Sequence, residues 1–127
     1  MNRPISPPSL PAPVARYSLA VLAERPAKLL HTAGIVGNRS DGSVPEDLGS
    51  QLEVIWSSLA ALLAEAGLGV TDIVSITTYV VAGNELSTVM AARDLAMAGH
   101  LPASTLIVVP ALARPHWKVE IAVVAAA

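Results

Sequence analysis

The chain has 127 residues, 53% hydrophobic and 14% charged positions, no cysteine, and eight basic against ten acidic side chains for a formal charge of −2. That length fits one compact domain, and the absence of thiols excludes a disulfide framework, a thiolate metal site and a cysteine nucleophile. Average soluble proteins carry about a quarter charged residues, so a domain this poor in charge is expected to cover part of its surface with another subunit. The acidic balance and the lack of any lysine and arginine run supply no broad basic field, so nucleic acid is not an expected partner.

Residues 1–14 contain five prolines and one charged side chain, Arg3. Prolines interrupt the continuous apolar segment a secretory signal needs, so this stretch is expected to be a flexible leader before a single domain over 15–127, in a cytoplasmic protein. Arg16 to Ala23 and Lys28 to Val36 are short apolar runs separated by Glu24, Arg25 and Pro26. They predict two strands joined as an opening hairpin. Gly37 to Pro45 concentrates glycine, serine, asparagine, aspartate and proline and reads as a surface loop.

From Asp47 to Ala66 the large apolar residues fall at Leu48, Leu52, Ile55, Leu59, Leu62 and Leu63, steps of four and three that trace one stripe of a helix. Acidic Glu46 and Asp47 suit its N-terminus, and Gly67 suits a left-handed C-terminal cap. Asp72 to Ala82 is β-branched and nearly unbroken in apolarity, predicting a strand buried on both faces. A second helix is expected around Leu86 to Met97, capped by Asn84 or Ser87, followed by strands at Thr105 to Val109 and Val119 to Val124. The uncharged stretch Leu95 to Ala113 is long enough to raise a membrane span, but Gly99, His100, Pro102 and Pro110 break it, so no membrane partner is expected. Strand, strand, helix, strand, helix, strand, strand predicts an α+β fold with two helices on one face of a mixed sheet.

Several residues carry candidate chemistry. Glu120 is an isolated acid between Val119 and Ile121, facing away from them on a strand. It is either a cleft carboxylate suited to proton transfer, an exposed-face glutamate, or half of an ion pair with Lys118. Tyr17 can donate a hydrogen bond into a cleft or serve as an interface aromatic. His31, His100 and His116 lack ligand spacing, so no metal is expected, nor any other cofactor. Ser104 and Thr105 have no base close in sequence and suit hydrogen bonding better than covalent catalysis. Trp117, with Arg114, His116 and Lys118, forms either a substrate clamp or a solvated turn whose tryptophan packs at a subunit boundary. Arg39 lies in the 37–45 loop and either approaches the cleft from above or keeps the loop solvated.

The order of elements, with Tyr17 before the first strands, Thr32-Ala33-Gly34, Gly42-Ser43-Val44-Pro45, Ala66-Gly67-Leu68, Asp72-Ile73-Val74, Leu101-Pro102-Ala103 and Val119-Glu120-Ile121, resembles the RidA/YjgF family of enamine and imine deaminases. The resemblance runs from about Tyr17 to the C-terminus. It implies a chorismate-mutase-like fold, a homotrimer, and clefts between subunits lined by Tyr17, Ala33, Gly34, Met90, Ser104, Thr105 and Trp117. It also implies Glu120 as the residue that activates water. Family members that hydrolyse imino acids hold the substrate carboxylate with an arginine directly after Pro-Ala, and here that position is Ser104. Ala33 and Met90 stand where active members often carry serine and asparagine. A serine hydroxyl cannot reproduce a bidentate guanidinium, so the resemblance implies an enzyme with an altered set of small-molecule substrates. The competing expectation is a non-catalytic trimer that binds a metabolite or a protein.

Overall fold

The computed structural model describes all of residues 1–127. Its elements in chain order are β1 (Asn2–Ile5), β2 (Ala20–Ala23), β3 (Leu29–His31), α1 (Leu48–Glu65), β4 (Ile73–Val81), α2 (Leu86–Met97), β5 (Ala103–Val109) and β6 (Val119–Ala126), with a 3-10 turn at Val70–Asp72 before β4. The main sheet has the order β3-β6-β4-β5. Its β4–β5 pair is parallel and spanned by α2, whereas β6 runs antiparallel to both β3 and β4. The expected α+β architecture, a mixed sheet with two helices packed on it, is therefore present.

Alternation along the strands separates the two faces of the sheet. Ile76 and Val80 of β4 and Val119, Ile121, Val123 and Ala125 of β6 point toward the helices, where they meet Leu52, Ile55, Leu59 and Leu63 of α1 and Val89 and Met97 of α2. Each of these side chains is at most 3% exposed. The stripe of α1 differs from its sequence reading at two positions near its opposite ends: Gln51 is fully buried while Leu62 is 41% exposed. Asp47 caps α1, its carboxylate accepting from the Ser50 amide at 2.9 Å. Gly67 takes a φ of +71° just beyond the helix, the left-handed conformation expected there. On α2 the capping position is Glu85, which makes no side-chain capping bond, rather than Asn84 or Ser87.

The opening hairpin is not formed. β2 pairs with β1, from Asn2 opposite Ala23 to Ile5 opposite Ala20, and β3 pairs with β6 at the far end of the chain. Residues 2–5 of the proline-rich stretch are thus a strand rather than a flexible leader, with Arg3 bridging to Glu24 at 3.4 Å. Pro4 is tolerated because this ribbon has only two strands and leaves one side of each free of ladder bonds. No helix is long and apolar enough to cross a membrane.

Candidate functional site

The face of the main sheet turned away from the helices carries Glu120 and Ala122 of β6, Thr77 and Tyr79 of β4, and Thr105 and Ile107 of β5, in the cross-strand rows Glu120–Tyr79–Ile107 and Ala122–Thr77–Thr105. Thr105 and Ile107 are exposed, and the others are half-buried. The far end of this face is covered: Ala126 of β6 is fully buried, and Asn2 of β1 donates to its carbonyl at 2.7 Å. Glu120 is the only carboxylate among the strand residues on this face.

Glu120 lies against the backbone of Gly34. The segment after β3 runs beside β6, with Ile35 bridged to Ile121 through reciprocal amide bonds of 2.8 and 3.0 Å. A Cβ at Gly34 would overlap the Glu120 carboxylate, so glycine is what lets the acid fold down at this point. The chain contains two ion pairs, Arg3–Glu24 and Arg93–Asp94, and neither involves Glu120. The pairing with Lys118 weighed from the sequence is absent. Lys118 instead sits near the Asp47 carboxylate, which the Ser50 hydrogen bonds, and to a lesser degree this lysine, hold below the usual aspartate range.

The remaining sequence candidates divide among several places. Tyr17 is half-buried, and its neighbour Ser18 bonds to the chain just before β5, with its amide donating to the Pro102 carbonyl at 3.0 Å and its hydroxyl to Leu101. Tyr17 is thereby placed at the start of β5. Ala33 is exposed beside Gly34. Trp117 is committed to the adjoining loop, its indole N–H donating to Asn38 at 3.2 Å while its ring meets His116 edge to face at 6.0 Å. Arg39 bonds to Ser43 within its own loop. Met90 is half-buried on α2, one turn before Arg93.

Ser104 is on the opposite face from Glu120. Its register partner is Ile76, a core residue, so its hydroxyl points into the helix layer. There it accepts a hydrogen bond from Nη1 of Arg93 at 3.2 Å. Arg93 is only 7% exposed, and its Nε and Nη2 both donate to Asp94 at 3.1 Å. Sequence reading groups Arg93 with Leu86, Val89, Met90, Leu95 and Met97 in the second helix and gives it no functional place. The available signal was its spacing of four from Val89 and from Met97, which puts it on the buried stripe.

Two loops are tied together behind Glu120 by Gln51 of α1. Its Nε2 donates to the carbonyls of Pro45 and His116, both at 2.9 Å, and its Oε1 accepts from the Lys118 amide at 3.0 Å. The side chain is fully buried and every polar function it has is engaged in part, which accounts for a carboxamide in the apolar stripe. No group of three or more histidine or acidic side chains is placed to hold a metal ion.

Comparison with known proteins agrees with this architecture. The family model described as Endoribonuclease L-PSP matches residues 8–127. The structure of YyfB from Yersinia pestis, a Rid-family protein described as of unknown function, superposes with a TM-score of 0.85 at 29% identity, covering 99% of this chain and 98% of that one. The YjgF gene product of Escherichia coli superposes with a TM-score of 0.71 at 27% identity, with 98% of each chain covered. A curated relative, the RutC family protein YjgH of Escherichia coli, is 38% identical over 64 residues, a match spanning 50% of this chain and 47% of the relative. With the matched model reaching from residue 8 to the C-terminus and the sheet order, helices and Val-Glu-Ile strand in place, the chain belongs to the RidA/YjgF family.

Proposed function

We propose that this protein is a Rid-type enzyme that acts on a small enamine, imine or related carbonyl compound in a cleft completed by a second subunit of a cytoplasmic homotrimer, with Glu120 moving the protons. The observation that carries this reading is Glu120 itself, a half-buried carboxylate free of any ion pair on the face of the sheet turned away from the helices, lying over a glycine. A carboxylate so placed can take a proton from water as the water attacks an imine carbon, and return one to the departing nitrogen. The balance is hydrolytic: water adds across C=N, the C–N bond breaks, and ammonia leaves a carbonyl product. Tautomerisation would use the same proton transfers without the water.

The need for a second subunit follows from the two faces. Ser104 and Glu120 lie on opposite sides of one sheet, and a small molecule cannot touch both through its thickness. β5 is an edge strand, and Ile107 and Val108 on it are 41% and 52% exposed, the kind of apolar edge that another copy would cover. A substrate reaching both groups would therefore bridge two subunits.

The test is ammonia release from imines generated in solution by an amino-acid oxidase or an amine oxidase. Native protein should accelerate release, and Glu120→Gln should reduce that acceleration by roughly 10²- to 10⁴-fold with an unchanged melting temperature. Equal activity of the two proteins would remove Glu120 from the chemistry.

A further inference from the structure

Arg93, Asp94 and Ser104 meet where the helix layer reaches the edge of the sheet. Guanidinium has five N–H donors, and three are used here: Nε and Nη2 on Asp94, and one of Nη1 on Ser104. One N–H on each terminal nitrogen is left. Ser104 accepts from Arg93, so its own proton is free to be donated. The corner therefore offers a ligand the remaining donors of Arg93 and Ser104, on two different elements, beside the unbonded second oxygen of Asp94. Asp94 remains 30% exposed and Ser104 half-buried, so the corner is not sealed from the outside.

Its charge is balanced as well. Asp94 neutralises Arg93 at 3.1 Å, and the arginine side chain is 9% exposed. A ligand carboxylate placed here would leave one uncompensated negative charge at a largely buried ion pair, whereas a neutral oxygen acceptor would take the same hydrogen bonds without adding charge.

We propose that Arg93, Asp94 and Ser104 form a charge-neutral donor corner that determines specificity, selecting ligands that end in a neutral acceptor oxygen, such as an amide or ester carbonyl, over the corresponding carboxylates. The inference rests on the proposed function in that the corner holds the far end of the molecule whose reacting end faces Glu120 of another subunit. Arg93 and Ser104 bind, and Asp94 acts through Arg93 as a positioning residue. The discrimination comes from the counterion on the helix, not from the serine on the strand.

Pyruvamide and pyruvate are nearly isosteric and differ in this charge, so titration calorimetry with the two reads the preference directly. Native protein should bind pyruvamide about tenfold or more tightly than pyruvate at pH 7. Asp94→Asn keeps an acceptor for Arg93 and removes the counter-charge, so it should invert the preference. Arg93→Lys keeps the charge but loses the fork, and should weaken pyruvamide binding by about tenfold. Melting curves establish that each variant is folded. Tighter binding of pyruvate by native protein, no saturable binding of either compound, or a preference unmoved by Asp94→Asn overturns the proposal. If the preference holds while no imine is deaminated, the deaminase reading fails and the corner stands; if imines are deaminated without the preference, the reverse is true.

Discussion

The two faces of the main sheet are built from the same strands and do opposite things. Toward the helices, every second residue of β6 is a fully buried aliphatic, and the buried Gln51 and Arg93 side chains each find partners there. On the other face, the same strand carries Glu120 with small or medium side chains, and its Glu120 end is only half-buried. One face spends its residues on cohesion, the other keeps a carboxylate and a row of hydroxyls available. Stability and chemistry are thus separated by the strand period of two, and a change at one position should move one property without the other.

The largest effect on folding is expected at the centre of the helix layer. Leu59 is fully buried between α1 and the sheet, so Leu59→Ala should cost about 2–5 kcal/mol in denaturant unfolding. Ile107→Ala, on the uncovered face, should leave the folding of each chain nearly unchanged but weaken assembly on a sizing column. If Ile107→Ala proved as destabilising as Leu59→Ala, the separation of the faces would be wrong. Gly34→Ala should act on activity alone: the new methyl meets the flexible end of Glu120, which can swing aside, so turnover should fall about as far as in Glu120→Gln while the melting temperature changes little.

The smallest effect belongs to the cap of α1. Hydrogen bonds from Ser50 hold the Asp47 carboxyl below its ordinary value. The folded state then favours the ionised form, so its contribution is present above the ordinary aspartate range and is lost as pH falls through that range and below it. The melting temperatures of native protein and Asp47→Ala should differ slightly at neutral pH and converge in acid. Asp47→Asn, which retains a capping oxygen, should show less of this dependence.

Local patterns in the sequence carried the helices and β4, because a stripe with steps of three and four, or a β-branched run between glycines, is a property of neighbours. Pairing is not. The runs around β2 and β3 look like a hairpin, yet β3 finds its partner in β6 almost a hundred residues later, and β2 finds it in the proline-rich start. Glu120 was legible as an isolated acid in an apolar strand. That Gly34 makes room for it, and that Ser104 faces the other way, depends on register that no single segment encodes. Arg93 and Gln51 have no functional place in the sequence reading for a shared reason: each is a polar residue on a buried stripe, and part of what satisfies it, Ser104 for Arg93 and His116 and Lys118 for Gln51, comes from distant segments.

Gln51 couples the evolution of two surface loops. Its carboxamide holds Pro45 in one and His116 and Lys118 in the other, so neither backbone can be reshaped without disturbing the other through the same three hydrogen bonds. Transplanting the 37–46 loop from a relative, to alter what enters the site, would require the 114–118 loop and the residue at position 51 to travel with it.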